Sequence, residues 1–359
     1  MNKAGKQVIN LGIGSPDMPP HQDVIDVLHA ESNKSNQHGY QNYKGSPILR
    51  KAISSFYKLW YDVELDPESE ILPLIGSKEG IMHICMTFLD EGDEALIPNP
   101  GYPTYRSAVQ LAGGNCVTYD LKEENNWEPD FTELEKSNLQ KVKIMWVNYT
   151  HMPTGKLPSM KLFEEIIAFG KKHNILICHD NPYSFILNEQ PMSLLSIKGS
   201  KDIAVELNSL SKSGNMAGWR VGWIAGNKEI ISDVLRFKSN MDSGMFLPIQ
   251  LAAVKALELG KDWYENLNKM YAQRREIIYK ILHALDCTYD PKQSGLFIWA
   301  KIPENYEDGY ELSDSILYDK KVFITPGGIF GANGNKFIRV SLCQKVDVLK
   351  KALERITER

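Results

Sequence analysis

The chain lacks the features that would tie it to a disulfide scaffold, a membrane or a nucleic acid. Its five cysteines, Cys85, Cys116, Cys178, Cys287 and Cys343, are scattered, odd in number and never spaced as CxxC. A disulfide framework or structural zinc site is therefore not expected, no metal is assigned, and a reducing compartment fits best. No run of 18 apolar residues occurs, so no membrane span is expected. The opening MNKAGKQVINLGIGSPD has no apolar stretch of signal-peptide length, and a cytoplasmic location follows as the expectation. Positive charge is not in excess: the net charge of −4 gives no electrostatic reason to expect nucleic acid or an anionic membrane as partner. Internal repeats and low-complexity tracts are missing too.

What is present is an ordinary globular composition, 43% hydrophobic and 24% charged, in 359 residues, a length that suggests about two domains. From Ile71 to Ala225 short apolar runs alternate with helical patterns. Ile71–Ile75, Glu94–Pro98, Val142–Val147, Ile175–His179, Ala204–Leu207 and Val221–Ala225 read as buried strands, short, often β-branched and bounded by Gly, Pro, Asn or Asp. Ile81, Ile84, Cys85 and Phe88 form the stripe of an amphipathic helix between the first two. Such alternation predicts an α/β fold, a mostly parallel sheet with helices on both faces and ligands beyond the carboxyl ends of the strands. After Leu247 a long helical stretch runs toward Leu285, with Ile277, Ile278, Ile281, Leu282 and Leu285 on one face. The strand-like GLFIWAKI and KFIRVSL follow, joined through TPGGIFGANG, and suggest a smaller α+β domain. The N-terminal segment has no core of its own and is expected to pack on it.

The segment Ser209-Leu-Ser-Lys-Ser-Gly-Asn-Met-Ala-Gly-Trp-Arg220 follows directly on the strand-like AVELN. A lysine at a strand end among small residues suits an amine that must meet a carbonyl and form a Schiff base. Ser209 and Arg220 bracket Lys212 with a hydroxyl and a guanidinium, a natural pair for a phosphate. Taken alone, any one lysine is more often a solvated loop residue; its company is what makes Lys212 a candidate.

S-x-S-K-x-x-x-M-x-G-x-R resembles the pyridoxal-phosphate attachment motif of the class I/II aminotransferases, the aspartate-aminotransferase-like fold type I enzymes. The resemblance runs from LGIGSPD near the start to FIRVS near the end. It implies a large cofactor-binding domain over 35–265 with a mostly parallel seven-stranded sheet, and a smaller domain from 1–34 and 266–359. It implies a pyridoxal 5'-phosphate cofactor on Lys212, amino acid and 2-oxo acid substrates, and a homodimer with a shared active site.

Further motifs take their roles from this resemblance. Gly76-Ser77-Lys78-Glu79-Gly80, a strand-to-helix turn with free amides at a helix N-terminus, is similar to the phosphate cradle, with Ser77 and the amide of Lys78 as donors. In His179-Asp180-Asn-Pro-Tyr183 the resemblance gives Asp180 the pyridine nitrogen and Tyr183 the phenolic oxygen. In Pro100-Gly-Tyr102-Pro-Thr-Tyr105 it places Tyr102 on the ring face, two core tyrosines being the plainer reading. Tyr40 matches a tyrosine that reaches the neighbouring subunit's phosphate. Arg339 in FIRVS matches the fork that binds the substrate α-carboxylate, and Gly14 the segment that closes over it.

One position departs from the pattern. Asn148-Tyr-Thr-His-Met-Pro-Thr-Gly155 resembles the family's N-P-x-N-P-T-G turn, but Met152 stands where the second Asn belongs. A thioether cannot donate to the ring's phenolic oxygen, which leaves Tyr183 as main donor and His151 or Asn181 as candidates to compensate. The expected function is transamination, with Lys212 moving the proton from the substrate Cα. A C–S β-lyase on the same scaffold is the alternative, and a ligand-sensing module without catalysis is a distant third.

Overall fold

The structure is a computed structural model that describes residues 7–358. Seven strands form the large sheet, in the order Ile71–Leu74, Gly222–Gly226, Ala204–Ser209, Leu176–Asp180, Val142–Val147, Glu94–Asn99, Asn115–Asp120. Gly222–Gly226 runs antiparallel to both neighbours, and the other pairings are parallel. The six strands read from sequence are all present, Val142–Val147 with both ends as expected and the others with at least one end moved by no more than two residues. The seventh, Asn115–Asp120, is an edge strand of sequence NCVTYD in which only Tyr119 is fully buried. Its half-solvated surface leaves no apolar run to read.

Central strands must present an apolar side chain to both faces, and they do. Ile144, Trp146, Cys178, Val205 and Ile224 join a core on one face; Met145, Val147, Ile177, Ala204 and Trp223 join a core on the other. Fully burying a large apolar side chain is worth roughly 1.5–3 kcal/mol, so these two layers hold the strand ends in fixed register.

A second unit has a four-stranded antiparallel sheet in the order Thr325–Pro326, Phe337–Ser341, Phe297–Lys301, Thr288–Tyr289. Here Trp299 pairs with Arg339. The stretch after Leu247 is not one helix but two, Leu247–Leu257 and Lys261–Ala284, parted near Gly260. The longer helix hands over between cores: Tyr264 belongs to the large-sheet core, and Leu267, Tyr271 and Ile278 to the small one. The N-terminal segment divides in the same way. Ile9–Asn10 pairs in parallel with Val322–Phe323 of the small unit, whereas helix Gln22–Ser32 packs on Leu247–Leu257 and buries Val24 in the large-sheet core.

Candidate functional site

Five strands running in one direction deliver their C-terminal ends to one edge of the large sheet. Gly76 follows Ile71–Leu74, Tyr102 follows Glu94–Asn99, Asn148 follows Val142–Val147, and Asp180 and Ser209 end their own strands. Beside this edge lies a cavity of about 320 Å³. Of the residues picked from sequence, Gly14, Ser77, Lys78, Tyr102, Asp180, Tyr183, Ser209, Lys212, Arg220 and Arg339 line it, as does Met152. A hollow of about 510 Å³ bounded by Glu128, Phe131 and Lys172 lies elsewhere and includes none of these groups.

Lys212 sits in the short helix Leu210–Ser213, and its Nζ donates to the Gly14 carbonyl at 2.6 Å. Burial lowers its pKa, and the guanidinium groups of Arg220 and Arg339 push the same way. Asp180 is 5% exposed. Burial pushes its carboxyl up to about 6; the Tyr105 hydroxyl, donating to Oδ2 at 2.9 Å, opposes that, and Oδ1 has no hydrogen-bond partner. The Asn148 side chain ties this strand end to the next loop, donating to the Asp180 carbonyl at 2.6 Å and accepting from the Met152 N–H at 2.7 Å.

Gly76 caps the helix Ser77–Phe88 with φ of +85°. A Cβ there would come within 2.1 Å of Arg220 Nη2, so only glycine lets the guanidinium lie against the helix N-terminus. Gly222 serves the same turn, since a Cβ on it would meet the Ser77 nitrogen at 2.6 Å. Ser209 accepts from the Ser211 N–H at 3.0 Å, and Arg220 Nη1 donates to the Ala217 carbonyl at 2.7 Å. Free amides, a hydroxyl and a guanidinium thus meet where a helix dipole favours an anion.

Across the cavity, the Arg339 guanidinium is clamped between the rings of Phe297, 3.9 Å from its centroid, and Phe330, 4.7 Å. It donates to the Gly12 carbonyl at 2.9 Å, approaches Met152 Sδ at 3.4 Å, and keeps a buried Nε without partner. Burial lowers its pKa to about 10, so it stays a cation at neutral pH.

Gly76 does not itself line the cavity, and two further sequence readings find no place in it. Tyr40 is 94% exposed and lies outside it. His151 bonds through Nδ1 to Thr154, and Asn181 donates to the Met192 carbonyl; neither lines the cavity, so neither replaces the missing asparagine. Sequence reasoning did not assign Tyr105, Asn148, Ser211 or Phe297 to the site. Tyr105 carried the one usable signal, its spacing from Tyr102 across a helix start.

The family model for aminotransferase class I and II matches residues 6–356. A protein named LL-diaminopimelate aminotransferase from Natranaerobius thermophilus is 40% identical over 357 residues, covering 99% of this chain and 92% of that one. The apo structure of BacF from Bacillus subtilis superposes with a TM-score of 0.93 at 36% identity, over 98% of this chain and 94% of that one. An aminotransferase from Staphylococcus aureus does so with a TM-score of 0.92 at 31% identity, over 98% and 93%. The lyase alternative gains no support from these relatives. The chain belongs to the aminotransferase class I and II family and is a pyridoxal-phosphate-dependent transaminase of fold type I.

Proposed function

We propose that Lys212 carries the pyridoxal phosphate and that the enzyme transfers the amino group of a diamino or amino dicarboxylic acid, LL-diaminopimelate foremost. The observation that carries the reading is the convergence of Lys212, the unpartnered Asp180 Oδ1, Arg220 and Arg339 on one cavity. Those residues fit the cofactor: Asp180 Oδ1 is a buried acceptor awaiting a donor, and Gly76 keeps open a cradle that a Cβ would fill. Ser77, the Lys78 amide, Ser209 and Arg220 would hold the phosphate, Tyr102 the ring face, and Asp180 and Tyr183 the ring nitrogen and phenolic oxygen. When bound, pyridoxal phosphate supplies an electron sink that lets the substrate Cα lose its proton.

The chain does the rest. Arg339 binds the α-carboxylate with its fork, held in plane by Phe297 and Phe330. Lys212 Nζ, held by burial and neighbouring cations in a less basic state, takes the Cα proton and returns it. Asp180 keeps a proton on the ring nitrogen. The Gly12–Gly14 segment, whose carbonyls accept from Arg339 and Lys212, lies over the site and excludes water.

The substrate reading rests on the relatives' names and on charge. With Lys212 given to the cofactor, Arg220 to its phosphate and Arg339 to the α-carboxylate, Lys78 is the one further cation lining the cavity for a second substrate carboxylate. The exposed Tyr40, with Tyr43, Ile48, Met241 and Phe246 also exposed on neighbouring segments, supports a homodimer in which Tyr40 reaches the partner's site. Five free cysteines support a reducing, cytoplasmic setting. We keep 35–265 as the cofactor-binding unit and 266–359 with the N-terminal strand as the second, but within 1–34 the helix Gln22–Ser32, whose Val24 joins the large-sheet core, goes with the first.

The test is to mix purified holoenzyme with single amino acids, without acceptor, and follow both the cofactor's visible absorption and oxo acid released. One equivalent of oxo acid from LL-diaminopimelate or glutamate, ahead of alanine and aromatic amino acids, is the expected result. Preference for a neutral amino acid would overturn the substrate reading.

A further inference from the structure

A second constellation sits on the helix Ser77–Phe88, outside the cofactor cavity. Glu79 and His83 stand four residues apart on one helical face, and the turn after helix Lys228–Lys238 brings Asp242 against them. One donor atom from each lies within 4.8 Å of the other two, and Glu79 Oε1 is 2.6 Å from His83 Nε2. We propose that Glu79, His83 and Asp242 form a binding site for a divalent transition cation of the zinc type.

The two carboxylates are each held by one oxygen and turn the other toward the cluster. The second carboxylate oxygen of Glu79 accepts the Ile75 N–H. Asp242 Oδ1 accepts from Lys238 Nζ at 2.7 Å and from the Gly244 N–H at 2.8 Å, while Oδ2 is buried without a partner. His83 is 1% exposed, its ring packs edge-on against Phe237 at 5.4 Å, and its Nδ1 is likewise unpartnered. Outer contacts that fix one atom of a ligand and aim the other are what metal sites use. One imidazole and two carboxylates suit a borderline divalent ion, with a fourth position for water. Two carboxylates stand here with one ammonium, Lys238 on Asp242, and one imidazole, His83 on Glu79.

Metal–ligand bonds of about 2.0–2.2 Å set ligand atoms roughly 3–3.5 Å apart, so the widest gap must close by about 1–2 Å. Asp242 lies in a turn and not in a helix, and it is the ligand free to make that shift. The ion would then pin the helix whose first turn lines the cofactor cavity to the Asp242–Gly244 turn, which packs on Gln41 and Asn42 next to Tyr40.

Co²⁺ is the probe: holoenzyme is dialysed against it, and bound metal and its visible ligand-field absorption are measured. Native protein should take up one saturable equivalent per chain. Asp242→Asn and His83→Gln should each weaken uptake tenfold or more, and Cys116→Ser should not. Zn²⁺ should raise the melting temperature of native protein and of Cys116→Ser, but not of Asp242→Asn. Absence of saturable uptake, or uptake undiminished in Asp242→Asn, overturns the site. Because Asp242→Asn is isosteric and lies in a turn, it carries the test even if His83→Gln fails to fold.

Discussion

The Tyr105 hydroxyl donates to Asp180 Oδ2 at 2.9 Å and leaves Oδ1 buried and unpaired, so one oxygen is fixed and the other is reserved. Tyr105 is itself held, stacked on Trp146 with centroids 5.1 Å apart. The carboxylate proposed to meet the ring nitrogen is thereby aimed from the core.

That arrangement gives stability a pH dependence. Burial pushes the Asp180 carboxyl up to about 6 from an ordinary 3.8. A raised value means the folded chain holds the proton more tightly, a gain present below about pH 4 and lost as pH rises through 6. Roughly 3 kcal/mol is the upper limit for such a shift. Denaturant unfolding of cofactor-free protein should show native losing ground to Asp180→Asn between pH 4 and 6. Tyr105→Phe, which removes the bond that favours the carboxylate, should carry that loss to higher pH. A native-minus-variant difference flat with pH would refute this.

Arg339→Lys keeps the charge but loses the fork and the Phe297 and Phe330 faces. Truncating a buried charge-pair partner costs roughly 2–5 kcal/mol, so kcat/KM should fall about 10²–10³-fold. Steady-state kinetics with the preferred amino acid decides it, and an unchanged KM would remove Arg339 from carboxylate binding.

Gly76→Ala would put a methyl 2.1 Å from Arg220 Nη2 at a φ of +85°. This extended positive-φ backbone is essentially restricted to glycine and costs another residue roughly 1–3 kcal/mol, and the guanidinium must also retreat. Cofactor should dissociate about tenfold more readily on dialysis, with substrate KM little changed at saturating cofactor. Retention equal to native would show that the cradle tolerates a Cβ.

Tyr40 can be placed by mixing two variants. In a shared-site dimer of Lys212→Ala and Tyr40→Ala chains, one of the two sites keeps both native residues. Activity should therefore reappear when the two poorly active proteins are unfolded and refolded together. Failure to recover activity, with dimers seen by sedimentation, would confine each site to a single chain.

Met152→Asn returns an amide donor to the phenolic oxygen and removes the thioether 3.4 Å from Arg339 Nη1. The pH midpoint of the bound cofactor's visible absorption should move down, since a donor favours the anionic oxygen. An unmoved midpoint would mean that the side chain at 152 does not reach the ring.

Much of this was legible in the chain itself because local chemistry wrote it there. Buried strands must be apolar on both faces, so runs such as VKIMWV and ILICHD announced themselves, and the residue types after them marked the site edge. The edge strand Asn115–Asp120 and the break near Gly260 were not, since a half-solvated strand and a short interhelical turn leave weak patterns.

The sequence alone determined the fold class and the candidacy of the attachment lysine and of the phosphate turn, because each depends on residues close together along the chain. Only the tertiary structure decided that Tyr105 pairs with Asp180, that Phe297 and Phe330 clamp Arg339, and that Gly12 and Gly14 meet Arg339 and Lys212. It also decided that helix Gln22–Ser32 joins the large-sheet core although the strand before it joins the small one. These partners lie from 9 to 327 residues apart, or on opposite sides of a core, and burial and strand register bring them together with no local pattern to foretell it.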